Sequence, residues 1–116
     1  MWTVSKEFHF DAAHSLPHLP PSHKCHHLHG HTYKIVVHCS GSLIPDKSWV
    51  IDYAEIKAAT QPLVDSLDHK NLNEILNTQT TAENIAFWFW WNLKDKLPIS
   101  SVDVHETTGT CCSYSP

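Results

Sequence analysis

Two histidines in the segment Leu28-His29-Gly30-His31-Thr32-Tyr33 have the spacing of metal ligands on one strand. The residues that follow, Lys34-Ile35-Val36-Val37-His38-Cys39, predict a strand, and side chains two apart on a strand point to the same face. Both imidazoles can therefore reach one metal ion. Zinc accepts neutral imidazole nitrogens, and catalytic zinc sites commonly use three protein ligands and leave one position open.

The third ligand must come from another part of the chain. His14, at the end of the preceding predicted strand, is the natural choice, because it continues the apolar alternation of that strand. Three loop histidines are alternatives: His23, His26 and His27. A solvated histidine-rich loop without a specific metal is the competing interpretation of the whole segment.

Cys25 lies four residues before His29. A cysteine beside a metal ion and several imidazoles can act as a base or a nucleophile. It could instead be a fourth metal ligand that closes a structural site. The spacing is not that of a zinc finger, which favours a catalytic role.

Two carboxylates are further candidates. Asp68 precedes His69 in a polar connector, where a carboxylate can fix the tautomer of a histidine and support acid–base chemistry, although a turn-forming aspartate is the simpler interpretation. Glu106 shares its parity with Val102 and Val104, so its carboxylate lies on an apolar face and must be paired or bound to a ligand. Such a carboxylate could accept two hydrogen bonds from the amidine-like edge of a pterin or guanine, or pair with a lysine.

The composition predicts one domain, residues 1–116, with enough apolar residues (41%) for a core. The net charge of -4 and the lack of a basic run argue against nucleic acid as a partner. No apolar stretch is long enough to span a membrane, the start of the chain lacks a signal-peptide pattern, and the four cysteines form no CxxC pair, so we expect a soluble cytoplasmic protein. All eight basic residues are lysines, so any bound anion must be held without arginine.

The periodicity predicts an α+β fold with an antiparallel sheet, in the order strand, strand, helix, helix, strand, strand. The first helix should begin with a capping box at Asp52 and Glu55 and should kink or split at Pro62. The second should follow a capping box at residues 80–83 and bury Ile85, Phe89 and Leu93. Its tryptophans widen this stripe, which favours partial burial by a partner subunit. Predicted strands cover residues 3–13, 29–40 and 102–107, with a possible edge strand at 111–114.

Together these motifs resemble the 6-pyruvoyltetrahydropterin synthase superfamily over nearly the whole chain. The segments that carry the resemblance are Phe10-Asp11-Ala12-Ala13-His14, His23-Lys24-Cys25, Leu28-His29-Gly30-His31, Val50-Ile51-Asp52-Tyr53, Leu67-Asp68-His69-Lys70-Asn71-Leu72-Asn73, Thr81-Ala82-Glu83-Asn84 and Glu106-Thr107. The short gap in C-x-x-x-H-G-H resembles the bacterial branch, the 6-carboxy-5,6,7,8-tetrahydropterin synthases, which make a queuosine precursor.

The resemblance implies a tunnelling fold (T-fold): a four-stranded antiparallel sheet with two helices on one face. Three subunits would close a barrel, and two such trimers would stack into a homo-hexamer.

The resemblance also implies the roles of individual residues. Zinc would be bound by His14, His29 and His31, Cys25 would be the base, and Asp68 with His69 would form a second proton-transfer pair reaching the site from an adjacent subunit. The remaining implied contacts hold the substrate: Glu106 would anchor the pterin, helped by the backbone around Thr81, Ala82 and Glu83, and Lys24 and His23 would hold phosphate.

The implied reaction converts 7,8-dihydroneopterin triphosphate to 6-carboxy-5,6,7,8-tetrahydropterin with release of acetaldehyde and triphosphate. Two alternatives remain open: a pyruvoyl-type synthase that eliminates triphosphate without carbon–carbon cleavage, and a non-catalytic metal- or pterin-binding protein. Because Ser15 stands where relatives often carry an arginine, a pterin with less phosphate is an alternative substrate.

Overall fold

Five strands and two α-helices make up the fold in the computed structural model, which describes residues 1–116. The strands are β1 (Trp2–His14), β2 (His29–Gly41), β3 (Lys70–Asn71), β4 (Ile99–His105) and β5 (Cys112–Tyr114), and the helices are α1 (Tyr53–Leu67) and α2 (Ala82–Leu93). The sheet order is β3-β1-β2-β4-β5, so the long β1–β2 pair occupies the centre. Short 3-10 helices occur at Lys24–His26 and Leu72–Glu74.

The β1–β2 pair is antiparallel along its whole length, from Trp2 opposite Gly41 to His14 opposite His29. Alternate residues of both strands, including Phe10 and Tyr33, face the core, where their rings stack at 5.0 Å. Because side chains alternate along a strand, His14, His29 and His31 lie on this same face at one end of the pair. The register therefore brings together histidines that are far apart in sequence.

The expected four-stranded antiparallel sheet needs a correction, because the connector after α1 forms a fifth strand, β3, parallel to β1. His69 takes the left-handed conformation (φ 58°), which turns the chain towards β1. Its backbone N–H donates to the Asp11 carbonyl (2.6 Å), and the Asp11 N–H donates to Asp68 Oδ1 (3.0 Å). These two bonds hold the connector along the free edge of β1.

The helix ends differ from the predicted capping boxes. Asp52 does cap α1, but its carboxylate accepts from the Ala54 N–H (2.9 Å). The predicted kink or split at Pro62 does not occur, since the helix continues through this residue without a break. Pro62 has no N–H to donate to the carbonyl of Ala58, four residues earlier. Both residues lie on the exposed side of the helix, so this carbonyl can bond to water instead. The cap of α2 is Thr81, one residue later than predicted, because the Thr80 side chain is buried and bonded elsewhere.

One hydrophobic cluster of 21 buried residues lies between the sheet and the helices. From α2 it contains the predicted stripe of Ile85, Phe89 and Leu93, each fully buried. Trp91 remains 58% exposed on the outer side of α2, so its burial by a partner subunit stays a prediction. Neither helix combines the length and the apolar character needed to cross a bilayer.

Candidate functional site

The three histidines form a cluster at the end of the β1–β2 pair. Their ring centroids are 4.6 Å (His14–His29), 5.1 Å (His14–His31) and 4.8 Å (His29–His31) apart. One nitrogen from each ring lies within 4.8 Å of the others, which is close enough to share one ion. The cluster is partly enclosed, since the His14 side chain is 1% exposed and that of His31 is 15% exposed.

Hydrogen bonds set the tautomers of two of these rings. The Nδ1–H of His14 donates to the Thr80 carbonyl (2.8 Å), and the Nδ1–H of His29 donates to the His27 carbonyl (2.7 Å). Because a carbonyl oxygen can only accept, the proton of each neutral ring must be on Nδ1, and Nε2 carries a lone pair. This is the arrangement in which a metal-binding histidine is oriented through its other nitrogen.

The Nε2 atoms of His14 and His31 are buried without a hydrogen-bond partner. Glu106 Oε2 lies 3.6 Å from the first and 3.3 Å from the second, but not in hydrogen-bonding geometry. The lone pair of His14 Nε2 and the Glu106 carboxylate, which converge in this way, repel each other unless a cation or a proton lies between them. Three imidazole nitrogens are a donor set that zinc prefers, so these residues fit the implied metal.

The loop histidines use their ring nitrogens within the loop and do not join the cluster. His23 Nδ1 accepts from the Cys25 N–H (3.0 Å), His26 Nδ1 donates to the Leu19 carbonyl (2.8 Å), and His27 Nε2 donates to the Pro21 carbonyl (3.0 Å). Among the candidates for a third ligand, the structure therefore places only His14 beside His29 and His31.

Burial sets the charge of the cluster. It lowers the pKa of His14 to about 4 and also lowers the pKa of His31, and the neighbouring His29 adds to both effects. Burial raises the pKa of Glu106. At neutral pH His14 and His31 are therefore uncharged, which is the form that binds a metal.

The low pKa of His14 predicts that the metal-free protein loses stability in acid. Between about 6.5 and about 4 the unfolded chain binds the proton and the folded chain does not, so the free energy of unfolding falls as the pH is lowered through this range. The contribution amounts to roughly 3 kcal/mol at most and levels off below pH 4. Urea unfolding of the metal-free protein at several pH values measures it.

His14→Asn is the control, because an amide side chain takes up no proton in this range. The variant should be less stable at pH 7, but its stability should depend less on pH than that of the unchanged protein. Equal pH slopes for the two proteins would show that His14 is not the group responsible.

Cys25 is held near the cluster by its loop. The Leu16 N–H donates to the Cys25 carbonyl (2.8 Å), which ties the 3-10 turn to the chain just after His14. The thiol and His31 line one cavity of about 440 Å³ together with Glu106. Further predicted residues on the same cavity are Lys24, Ala82 and Glu83, whereas Thr81 is not among its lining residues.

Asp68 and His69 lie elsewhere in the chain. Asp68 Oδ1 is 3.0 Å from His69 Nδ1, but neither residue lines the cavity of Cys25. His69 instead faces a second, more open hollow with Asp11, Lys70 and one side of His31. One chain alone therefore does not bring this pair to the thiol.

Three residues that support the site were missed in the sequence. Thr80 orients His14 through its carbonyl and hydroxyl groups, and Asn73 clamps the residue after His14 by donating to the Ser15 carbonyl (2.9 Å) and accepting its N–H (2.8 Å). The buried Tyr33 ring lies 5.5 Å from that of His31, and its hydroxyl has no partner. Of these three residues, only Tyr33 could have been predicted from the sequence, since it continues the alternation of His29 and His31 along the strand.

A family profile described as 6-pyruvoyl tetrahydropterin synthase matches residues 3–116. The chain belongs to this family. The 6-carboxy-5,6,7,8-tetrahydropterin synthase of Synechocystis is 37% identical over 98% of the chain and 93% of its own length. The dihydroneopterin monophosphate aldolase of Pyrococcus furiosus is 37% identical over 77% of the chain and 72% of its own length.

The fold agrees with that of a solved member of the family. The 6-pyruvoyl tetrahydropterin synthase of Caenorhabditis elegans superposes with a TM-score of 0.89 at 27% identity, covering 99% of this chain and 95% of that one. The motifs in the sequence thus identified the family and its T-fold, and the added strand β3 is a detail within that architecture.

Proposed function

We propose that this member of the 6-pyruvoyl tetrahydropterin synthase family is a zinc-dependent lyase. It converts 7,8-dihydroneopterin triphosphate and one water to 6-carboxy-5,6,7,8-tetrahydropterin, acetaldehyde and triphosphate, a step towards queuosine. The main support is the convergence of two partnerless imidazole nitrogens and the Glu106 carboxylate beside the cavity that also holds Cys25. The similarity to the Synechocystis 6-carboxy enzyme favours this product.

Zinc would be held by His14, His29 and His31, and when bound it supplies Lewis acidity towards the side-chain hydroxyls of the substrate. The protein prepares the site by keeping His14 and His31 uncharged. It also fixes the direction of two rings through the carbonyls of Thr80 and His27.

Cys25 is the base that takes a proton from the substrate side chain. Its thiol shares the cavity with the metal-facing His31, and it makes no disulfide. The bond from Leu16 to its carbonyl restrains the loop, so the sulfur is presented to the substrate at a set position.

Asp68 and His69 are the second proton-transfer pair. The Asp11 N–H holds the pKa of Asp68 below its usual value, so the carboxylate stays charged and can orient His69 through Nδ1. The His69 side chain is 77% exposed, which leaves its other nitrogen free to exchange a proton. Because the pair lies away from its own chain's cavity, we assign it to the site of an adjacent subunit.

Glu106 anchors the pterin ring by accepting hydrogen bonds from its amidine-like edge. It is partly exposed on the cavity wall beside Ala82 and Glu83 at the start of α2, where backbone N–H groups can add to the grip. Lys24 lies at the same cavity and is exposed, so it can pair with phosphate.

The assignment of His69 to a neighbouring site requires an oligomer, and we propose the homo-hexamer of two stacked trimers. The exposed Trp91 and the groove formed by Trp2, Leu43 and Trp49 supply apolar surface for subunit contacts. The four free cysteines favour the reducing cytoplasm as the location.

Incubation of the purified protein with 7,8-dihydroneopterin triphosphate should release acetaldehyde and 6-carboxy-5,6,7,8-tetrahydropterin in equal amounts. Acetaldehyde is measured by derivatisation, and the pterin by mass. Triphosphate release without acetaldehyde would identify the pyruvoyl-type elimination instead. Pterin and zinc binding without any turnover would indicate a binding protein.

A pterin with less phosphate is a second candidate substrate, favoured by the absence of arginine. Lysine holds phosphate as a point charge and lacks the two-pronged grip of a guanidinium. The Pyrococcus relative is named for a monophosphate substrate. A kcat/KM for dihydroneopterin monophosphate above that for the triphosphate would support this candidate.

A further inference from the structure

A second group of metal-ligand side chains lies around the end of β4 and the turn that follows it. Asp103 and His105 alternate with Val102 and Val104 along β4, so they point away from the core and from the imidazole cluster. Together with Cys111 they offer an oxygen, a nitrogen and a sulfur atom that all lie within 4.8 Å of one another. None of these three residues has a role in the proposed lyase reaction.

The β4–β5 pairing brings the cysteine to this place. Asp103 pairs with Ser113 and Val104 with Cys112, so Cys111 and His105 come directly after the last pair of this ladder. Between β4 and β5 the chain reverses in a turn at Gly109 (φ 96°), a conformation that favours glycine. Cys111 is exposed at the end of this turn, where an ion can enter from solvent and the thiol can move towards it.

The carboxylate of this group is already oriented. His38 Nε2 lies 2.7 Å from Asp103 Oδ2, and the Ser113 hydroxyl donates to Oδ1 (2.6 Å). Each carboxylate oxygen keeps a lone pair after accepting one hydrogen bond. Hydrogen bonds of this kind hold the ligating carboxylates of metal sites in place.

We propose that Asp103, His105 and Cys111 bind a second divalent ion of the zinc class. A thiolate and an imidazole favour zinc and its neighbours over magnesium or calcium, and three protein ligands leave one position for water or a small ligand. The two sites use different ligands, and Asp103 and His105 face the opposite side of the sheet from His14. Cys111 also borders the cavity of Cys25, but it has no part in the proposed lyase reaction.

Cobalt titration of the metal-depleted full-length protein tests the site. The imidazole cluster contains no sulfur, so cobalt bound there gives visible absorption without a sulfur-to-cobalt charge-transfer band. Cobalt bound at the second site adds that band in the near ultraviolet. We expect two tight equivalents per chain and a charge-transfer band equivalent to one thiolate.

Matched variants assign the band. Cys111→Ser should remove it together with one equivalent of cobalt, whereas Cys112→Ser, at the neighbouring cysteine, should keep both. His31→Ala should lose the first equivalent but retain the band, which separates this site from the proposed lyase site. His38→Phe should weaken the second equivalent by roughly 10–100-fold.

A single tight equivalent in the unchanged protein would overturn the proposal. A band that persists in Cys111→Ser and disappears in Cys25→Ser would do so as well, and would make Cys25 a metal ligand. These spectra measure metal binding alone. The test therefore gives the same answer whether or not the protein has the proposed lyase activity.

Discussion

Cys25→Ala is expected to lower turnover by about 10²–10⁴-fold, the range that a positioned acid or base contributes, while the zinc at the imidazole cluster stays bound. The reason is that the thiol faces the cavity next to His31, whereas the nitrogens that face the metal belong to three other residues. Single-turnover kinetics with dihydroneopterin triphosphate measures the first effect. Zinc content after dialysis measures the second, in a Cys111→Ser background so that only the imidazole cluster is counted.

Cys39→Ala is the matched control for removal of a sulfur atom. Cys39 is fully buried in the core, and burial raises its pKa to about 11, so it has no thiolate at neutral pH. This variant should lose some stability but keep both zinc and turnover. If Cys25→Ala loses its zinc, Cys25 is a ligand and the assignment as a base is wrong.

His31→Ala should lose both zinc and turnover. It removes one of three ligands, so the affinity should fall by more than the roughly 10–100-fold that follows loss of a supporting hydrogen bond. The substitution spares the core, because the His31 side chain lies at the cavity wall and is 15% exposed. Zinc affinity by competition with a chelator and turnover in the same preparation test the prediction.

The control for His31→Ala is His18→Ala, which removes an exposed imidazole from the neighbouring loop. It should retain wild-type affinity and activity. Stoichiometric zinc in His31→Ala with the Cys111→Ser background would rule out the imidazole cluster as the metal site. Loss of zinc in both variants would indicate a diffuse histidine-rich binder.

Local patterns alone determined much of the candidate site. The two-residue spacing of His29 and His31 predicted a shared face, and the parity of β1 predicted that His14 would point the same way. Glu106 was likewise predicted on the face of Val104, and it lies beside the imidazoles as well as on the cavity. These inferences succeed because alternation along a strand is a property of the backbone and needs no distant partner.

The tertiary structure decided which distant residues meet. His14 is selected over the loop histidines by the register with His29 and by Thr80, which is 66 residues further along the chain. The same contact places the α2 cap at Thr81. The bonds that Asp68 and His69 make to Asp11 direct the next two residues into strand β3. No local periodicity encodes such contacts, because they depend on how helices and strands pack after the chain has folded back on itself.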